Sequence, residues 1–174
     1  MMADLITARE LRFERLLAAP VDKVWQYLVD PELRARWFMA GPSDIRPGGT
    51  IGFTMAHENL SDGPVATPER FAGKSGHQWS ERVLRVEPPH LLAFTWDNGE
   101  AGEVTITLTP EGDRTRLTLH HTGLRGASDA ASFGGGWGAH LAVLERRVAG
   151  EKVPDFWQLH AEAEERAKQA VDIA

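Results

Sequence analysis

The feature that most constrains this chain is a change of hydrophobic period. Between residues 44 and 122 apolar side chains recur at every second position, and on either side of that stretch they recur at intervals of three and four. Ile51, Phe53 and Met55 alternate, and strands are predicted near 79–87, 91–97, 103–109 and 114–121. Pro88-Pro89, Asn98-Gly99 and Glu111-Gly112-Asp113 break them, and Pro47-Gly48-Gly49 marks a turn before Ile51. Residues 57–70, with Asn59, Ser61, Asp62, Gly63, Pro64 and Pro68, read as a loop. Breaks this short leave no room for crossover helices, so the sheet is an antiparallel meander.

The flanks fix what surrounds that sheet. Residues 11–19 read as a first strand, with Leu11, Phe13, Arg15 and Leu17 on the inward parity, ended by Ala19-Pro20. Val21, Val24, Trp25 and Leu28 form one helical stripe. Asp30-Pro31 starts a second short helix, Asp30 as cap and Pro31 in its first turn, with Leu33 and Trp37 four apart. After residue 122 the helical period returns. Gly134-Gly135-Gly136 is read as the end of a loop, followed by a helix with Trp137, Leu141, Leu144 and Val148 on one face and Gly150 as its stop. Pro154 separates a last segment, Asp155 to about Lys168, expected as an added and largely solvated helix. One curved sheet has one apolar face, and the long helix must cover it. The expected fold is α+β, with residues 1–152 as the domain and 153–174 as a helical extension. Curvature leaves a space between sheet and helix that becomes either core or pocket.

Composition narrows the function. The 174 residues suit one domain, with 42% hydrophobic and 25% charged residues. Without cysteine there are no disulfides, thiolate nucleophiles or cysteine metal sites. No run reaches the roughly 18 apolar residues of a membrane span. Met1 to Glu10 lacks the basic start and apolar stretch of a signal peptide, so the default location is the cytoplasm. The formal net charge is −6, with Lys and Arg scattered among more numerous acids, which argues against nucleic acid as a partner.

Catalytic signatures are few. Gly134-Gly135-Gly136-Trp137-Gly138 lacks the lysine of a phosphate loop. The seven histidines show no zinc spacing, and no Gly-x-Ser-x-Gly elbow occurs. His120 and His121 face opposite sides of their strand, and His121 shares parity with Leu117 and Leu119, so it is the better inward candidate. Arg15 either meets a ligand's acidic group or pairs with an internal acid. Asp97 is read as a turn residue beside Asn98-Gly99. Six tryptophans are many, and Trp37, Trp96 and Trp137 come from three elements that converge on the cavity.

Several blocks resemble the SRPBCC (START-like) superfamily, and within it the family named for the activator of heat-shock protein 90 ATPase. The first is Ala19-Pro20-Val21-Asp22-Lys23-Val24-Trp25 with Asp30-Pro31-Glu32-Leu33 and Arg36-Trp37-Phe38. Arg46-Pro47-Gly48-Gly49 is the second, and Val86-Glu87-Pro88-Pro89-His90-Leu91-Leu92 with Phe94-Thr95-Trp96 the third. Val104 to Leu108, Thr115 to Leu119, Thr122-Gly123-Leu124 and Gly136-Trp137 complete the series over residues 11 to 150. The resemblance implies a helix-grip fold and a pocket for hydrophobic small molecules. It does not imply one activity, since the superfamily includes lipid and hormone binders and polyketide cyclases. An activator of the eukaryotic kind would carry a further N-terminal domain, whereas about ten residues precede the first strand here.

The leading expectation is therefore a non-catalytic binder of a small hydrophobic molecule, without cofactor or metal. Its pocket is expected from Phe13, Arg15, Trp37, Phe38, Phe53, Met55, Phe71, Phe94, Trp96, Leu119, His121, Trp137, Leu141 and Leu144. Two alternatives stand beside it: a cyclase or dehydratase with His121 as acid or base, and a stress-related co-chaperone working through an exposed apolar surface. Phe156-Trp157 serves either a homodimer contact or packing on its own domain.

Overall fold

The structure, a computed structural model, describes residues 4–173. Seven antiparallel strands form one sheet in the order β1-β2-β7-β6-β5-β4-β3. They are β1 (Leu5–Ile6), β2 (Glu10–Leu17), β3 (Thr50–Thr54), β4 (Gln78–Glu87), β5 (Leu91–Thr95), β6 (Glu103–Glu111) and β7 (Arg114–Thr122). The short α1 (Val21–Val29) and α2 (Pro31–Arg34) follow β2; the long α3 (Ala127–Val148) and α4 (Phe156–Ile173) end the chain. This is the helix-grip α+β architecture, an antiparallel sheet curled about a long helix.

Strand pairing aligns the inward side chains in rows. Phe13 lies opposite Leu119, Leu119 opposite Ile106, and Ile106 opposite Leu92, so one apolar row crosses four strands. The next row runs Leu11, His121, Val104, Phe94 and Val83. Side chains of period two can make such rows only on one face, and α3 covers that face. The β4–β5 register shifts between Val83 and Arg85, the kind of irregularity that bends a strand, and β3 pairs with the half of β4 before the shift.

Asp30 caps α2 by accepting the Glu32 backbone N–H at 2.9 Å. One turn later stands an arginine that periodicity did not single out. Arg34 is 1% exposed. It donates to the carbonyls of Met39, Gly41 and Gly52 at 2.8, 3.2 and 3.0 Å and to Ser43 Oγ at 2.9 Å. Burial lowers its pKa to about 10, against the opposing pull of Asp30, so it stays charged at neutral pH. The guanidinium ties α2 to the outer strand β3.

Two expectations at the C-terminal end need correction. The glycine run does not end a loop: Gly134, Gly135 and Gly136 lie inside α3, which starts at Ala127. The last helix keeps a solvated face, as expected, but it is not merely added on, because Phe156, Trp157, Ala163 and Ala167 of α4 are buried. Both have one cause. A Cβ on Gly135 would stand 2.9 Å from Glu164 Cα, one on Gly138 3.0 Å from Ala163 Cβ, and one on Gly134 3.1 Å from Ala167 Cβ. Interior glycine weakens a helix by about 1 kcal/mol relative to alanine. Here its lack of a side chain lets α4 lie directly on α3.

Gly136 is the internal control, since a Cβ there would meet nothing within 4 Å. Gly136→Ala is expected to raise stability by roughly 0.5–1 kcal/mol through helix propensity. Gly135→Ala is expected to lower it, because the methyl meets the α4 backbone. Urea unfolding of the two variants checks the opposite signs.

Candidate functional site

The space between sheet and α3 is divided. Its inner part is filled: only about 10 Å³ remains among Leu28, Trp37, Phe53, Leu92, Phe94, Ile106 and their neighbours. Trp37 is fixed there by donating its indole N–H to the Tyr27 carbonyl at 2.8 Å. The outer part is open. A pocket of about 630 Å³ lies between α3, α4 and the long loop from β3 to β4. That volume falls in the range of small-molecule sites. A more open groove of about 680 Å³ adjoins it, sharing Met55, Lys74, Trp79, Trp96 and Phe133.

Aromatic rings form both walls. On the inner side Phe38 stacks on Trp137 at 5.1 Å between centroids, and Trp96 meets Trp137 at 5.4 Å and Phe133 at 6.0 Å. On the outer side Phe71 stacks on Trp157 at 4.9 Å, with His57 also 4.9 Å from Trp157 and His160 5.2 Å from Phe71. The outer wall joins a loop to α4. Arg147 anchors that loop: its Nη1 donates to both oxygens of Asp62 at 2.9 Å, and Nε donates to the Arg36 carbonyl at 3.0 Å. Asp62 also accepts the Val153 N–H at 2.6 Å, so loop, α3 and the α3–α4 connection meet at one carboxylate. The Val153 bond and Arg147 hold that carboxyl below its ordinary pKa.

Of the residues expected to line the pocket, Phe38, Met55, Phe71, Trp96 and Trp137 do so. Trp37, Phe53 and Phe94 border the filled inner core, and Leu119, Leu141 and Leu144 are buried within the same cluster. Phe13 borders a separate, small cleft beside Gly134 and Ala163. Arg15 meets acids of its own chain: Asp4 at 2.7 Å and Glu145 at 3.1 Å. Both ring nitrogens of His121 are occupied. Nε2–H donates to the Ala101 carbonyl at 2.8 Å, and Nδ1 accepts the Trp137 indole N–H at 3.1 Å. His121 thus orients Trp137, and burial lowers its pKa. Glu81, which borders the open groove, is likewise committed. It accepts from Trp79, Thr95, Asp97 and Asn98 at 2.8–3.0 Å.

The pocket is also lined by His57, His140, Trp157 and His160, which are not among the residues expected there. His140 follows Trp137 by three and precedes Leu144 by four, so the helical stripe already contained it. The side chain is 6% exposed, and its Nδ1–H donates to the Trp37 carbonyl at 2.8 Å. Since a carbonyl only accepts, Nδ1 carries the proton and Nε2 is the bare acceptor. Burial pushes the His140 pKa down to about 3, the Trp37 bond opposing and His57 and His160 reinforcing the shift. Burial also lowers His57, reinforced by His160, and lowers His160 against the opposing pull of Glu164. No group of three His, Cys, Asp or Glu able to hold a metal occurs among the described residues. No helix among them is long and apolar enough to cross a membrane.

The pocket's rim carries charge. Arg70 donates to both oxygens of Glu164 at 2.7 Å, and Lys168 stands 3.5 Å from the same carboxylate. Lys74 Nζ lies 5.6 Å from the Phe71 ring centroid and makes no ion pair among the described residues.

Comparison with known proteins places this geometry. The family described as "Activator of Hsp90 ATPase homolog 1-like protein" matches residues 18–149. A protein of Bordetella parapertussis solved by NMR is 39% identical, covering 93% of this chain and 86% of that one, with a TM-score of 0.80. CalU16 of Micromonospora echinospora, in its crystal structure, is 27% identical over 95% of this chain and 89% of that one, with a TM-score of 0.67. The Aha1 dimer of Colwellia psychrerythraea is 16% identical, covering 84% of this chain and 96% of that one at a TM-score of 0.57, a likeness of fold alone. No curated protein matches the chain.

The histidines make a pH prediction. A histidine whose folded pKa is depressed leaves stability intact above its unfolded value near 6.5 and lost progressively as pH falls toward the folded value. Below pH 6.5 the unfolded chain takes up protons that the folded chain refuses. Urea unfolding is expected to show stability falling from pH 6.5 to about 5 by up to about 1.4 kcal/mol per pH unit for each such histidine. His140→Phe is expected to reduce that slope by one histidine's share.

Proposed function

The chain belongs to the Activator of Hsp90 ATPase homolog 1-like family, and we propose that it binds a small apolar molecule with an aromatic body in the pocket between α3, α4 and the β3–β4 loop. One observation carries this reading: a space of about 630 Å³ walled by Phe38, Phe71, Trp96, Trp137 and Trp157 lies open beside an inner core that is closed. Large aromatic faces around a space exposed to water are stabilised when an apolar ligand replaces that water. Stacking and edge contacts to such rings favour a flat, unsaturated ligand over a saturated chain.

The alternatives find less support. An enzyme using His121 needs a free nitrogen, and both are engaged. A co-chaperone acting through an apolar surface needs an exposed face, and the exposed large hydrophobics among the described residues are Leu5 and Leu16. A homodimer, by analogy with the Colwellia neighbour, would use a face other than Phe156 and Trp157, which pack inward.

Titration of the intrinsic tryptophan fluorescence with polycyclic aromatic compounds, fatty acids and sterols tests the proposal. Saturable quenching in the micromolar range by the aromatic set is expected. Ala131→Trp, which adds an indole on the α3 wall of the pocket, is expected to weaken binding at least tenfold while the far-UV circular dichroism stays unchanged. No saturable quenching by any compound would refute the proposal.

A further inference from the structure

Within the apolar pocket one largely buried side chain keeps a polar atom open to the pocket, without a hydrogen-bond partner among the described residues. His140 is 6% exposed and lines the pocket, its Nδ1 is bound to Trp37, and its Nε2 has no hydrogen bond among the described residues. No buried side-chain nitrogen or oxygen there lacks a partner, so Nε2 reaches the pocket space rather than being sealed in packing. The Trp37 bond fixes the tautomer, and Phe38 holds the ring edge-on at 4.9 Å. Nε2 is thus a preorganised acceptor that offers a lone pair and no proton.

The rim supplies the second element. Three cations, Arg70, Lys74 and Lys168, and one carboxylate, Glu164, border the pocket in a chain whose formal net charge is −6. Glu164 is shared between Arg70 and Lys168, and Lys74 is outside any ion pair among the described residues. Charge concentrated against the sign of the whole chain focuses a potential that attracts anions.

We propose that the pocket selects aromatic acids that carry a hydroxyl: the hydroxyl donates to His140 Nε2 at the buried end, and the carboxylate meets Lys74, Lys168 and Arg70 at the rim. The inference rests on the binding function proposed above and names its ligand class. An unpaired acceptor in an apolar site discriminates strongly, because a ligand lacking the donor leaves it desolvated and unsatisfied.

Calorimetric titration of the full chain with a hydroxynaphthoic acid, its methyl ether and its methyl ester tests it. The hydroxy acid is expected to bind about tenfold tighter than the ether and about tenfold tighter than the ester. The advantage over the ester is expected to shrink as salt is raised. His140→Phe is expected to bring hydroxy acid and ether within about twofold, and Lys74→Met with Lys168→Met to bring acid and ester together. The comparison among ligands on the unaltered protein holds even where a variant fails to fold. Equal affinities for the hydroxy acid and its ether, or for acid and ester, would overturn this inference and leave the binding function standing. Failure of all three compounds to bind would overturn this inference, and the binding function falls with it only where the polycyclic aromatic set also leaves the tryptophan fluorescence unquenched.

Discussion

The architecture of the site depends on how closely α4 approaches α3. Gly134, Gly135 and Gly138 present backbone where α4 presents Ala163, Glu164 and Ala167, and the nearest added methyl would stand 2.9 Å from a main-chain atom. Three glycines inside a helix cost about 1 kcal/mol each in propensity, which burial of the α4 face offsets. The approach sets the position of Trp157, His160, Glu164 and Lys168, which form the outer wall and rim. With a larger α3 face, α4 would ride outward and the pocket would become an open groove.

Division of the inner space explains the size of the remaining one. A curved sheet with a helix laid across it always leaves volume between them, and side chains decide whether it stays empty. Here Trp37, Phe53 and Phe94 fill the inner part almost completely. Past His121 and Trp137 the filling stops, because the next elements are a loop and a helix rather than strands. Polar groups in the core are paired: Arg34 with carbonyls, His121 with Ala101 and Trp137, Glu81 with four donors. His140 Nε2 is the exception and faces the pocket, which gives that surface chemical character as well as shape.

Much of the fold was legible because strands and turns leave local signals. The strand expected at 114–121 is Arg114–Thr122, and the one expected at 103–109 is Glu103–Glu111. The start of α3 was not, since three consecutive glycines read as chain breakers when the partner helix that requires them is out of view. In the candidate site, Trp96 and Trp137 could be placed by parity and helical stripe. Phe13, Phe94 and Leu119 share that inward parity, yet parity cannot separate a core position from a pocket wall. Lys74 and Arg70 sit in a loop without periodicity, and long-range contacts such as the Asp62–Arg147 anchor, the Arg70–Glu164 pair and the Phe71–Trp157 stack bring that loop to the helices. Long-range closure of this kind leaves no trace in residue spacing.

The central claim is that the aromatic space between α3, α4 and the β3–β4 loop receives a ligand. Crystals of the protein soaked with a brominated naphthalene and measured at the bromine absorption edge address it most directly. The account predicts an anomalous peak between Trp137 and Trp157, with the rings of Phe38 and Phe71 in contact. A peak only outside that space, or a space closed by movement of the loop onto α3, would contradict it.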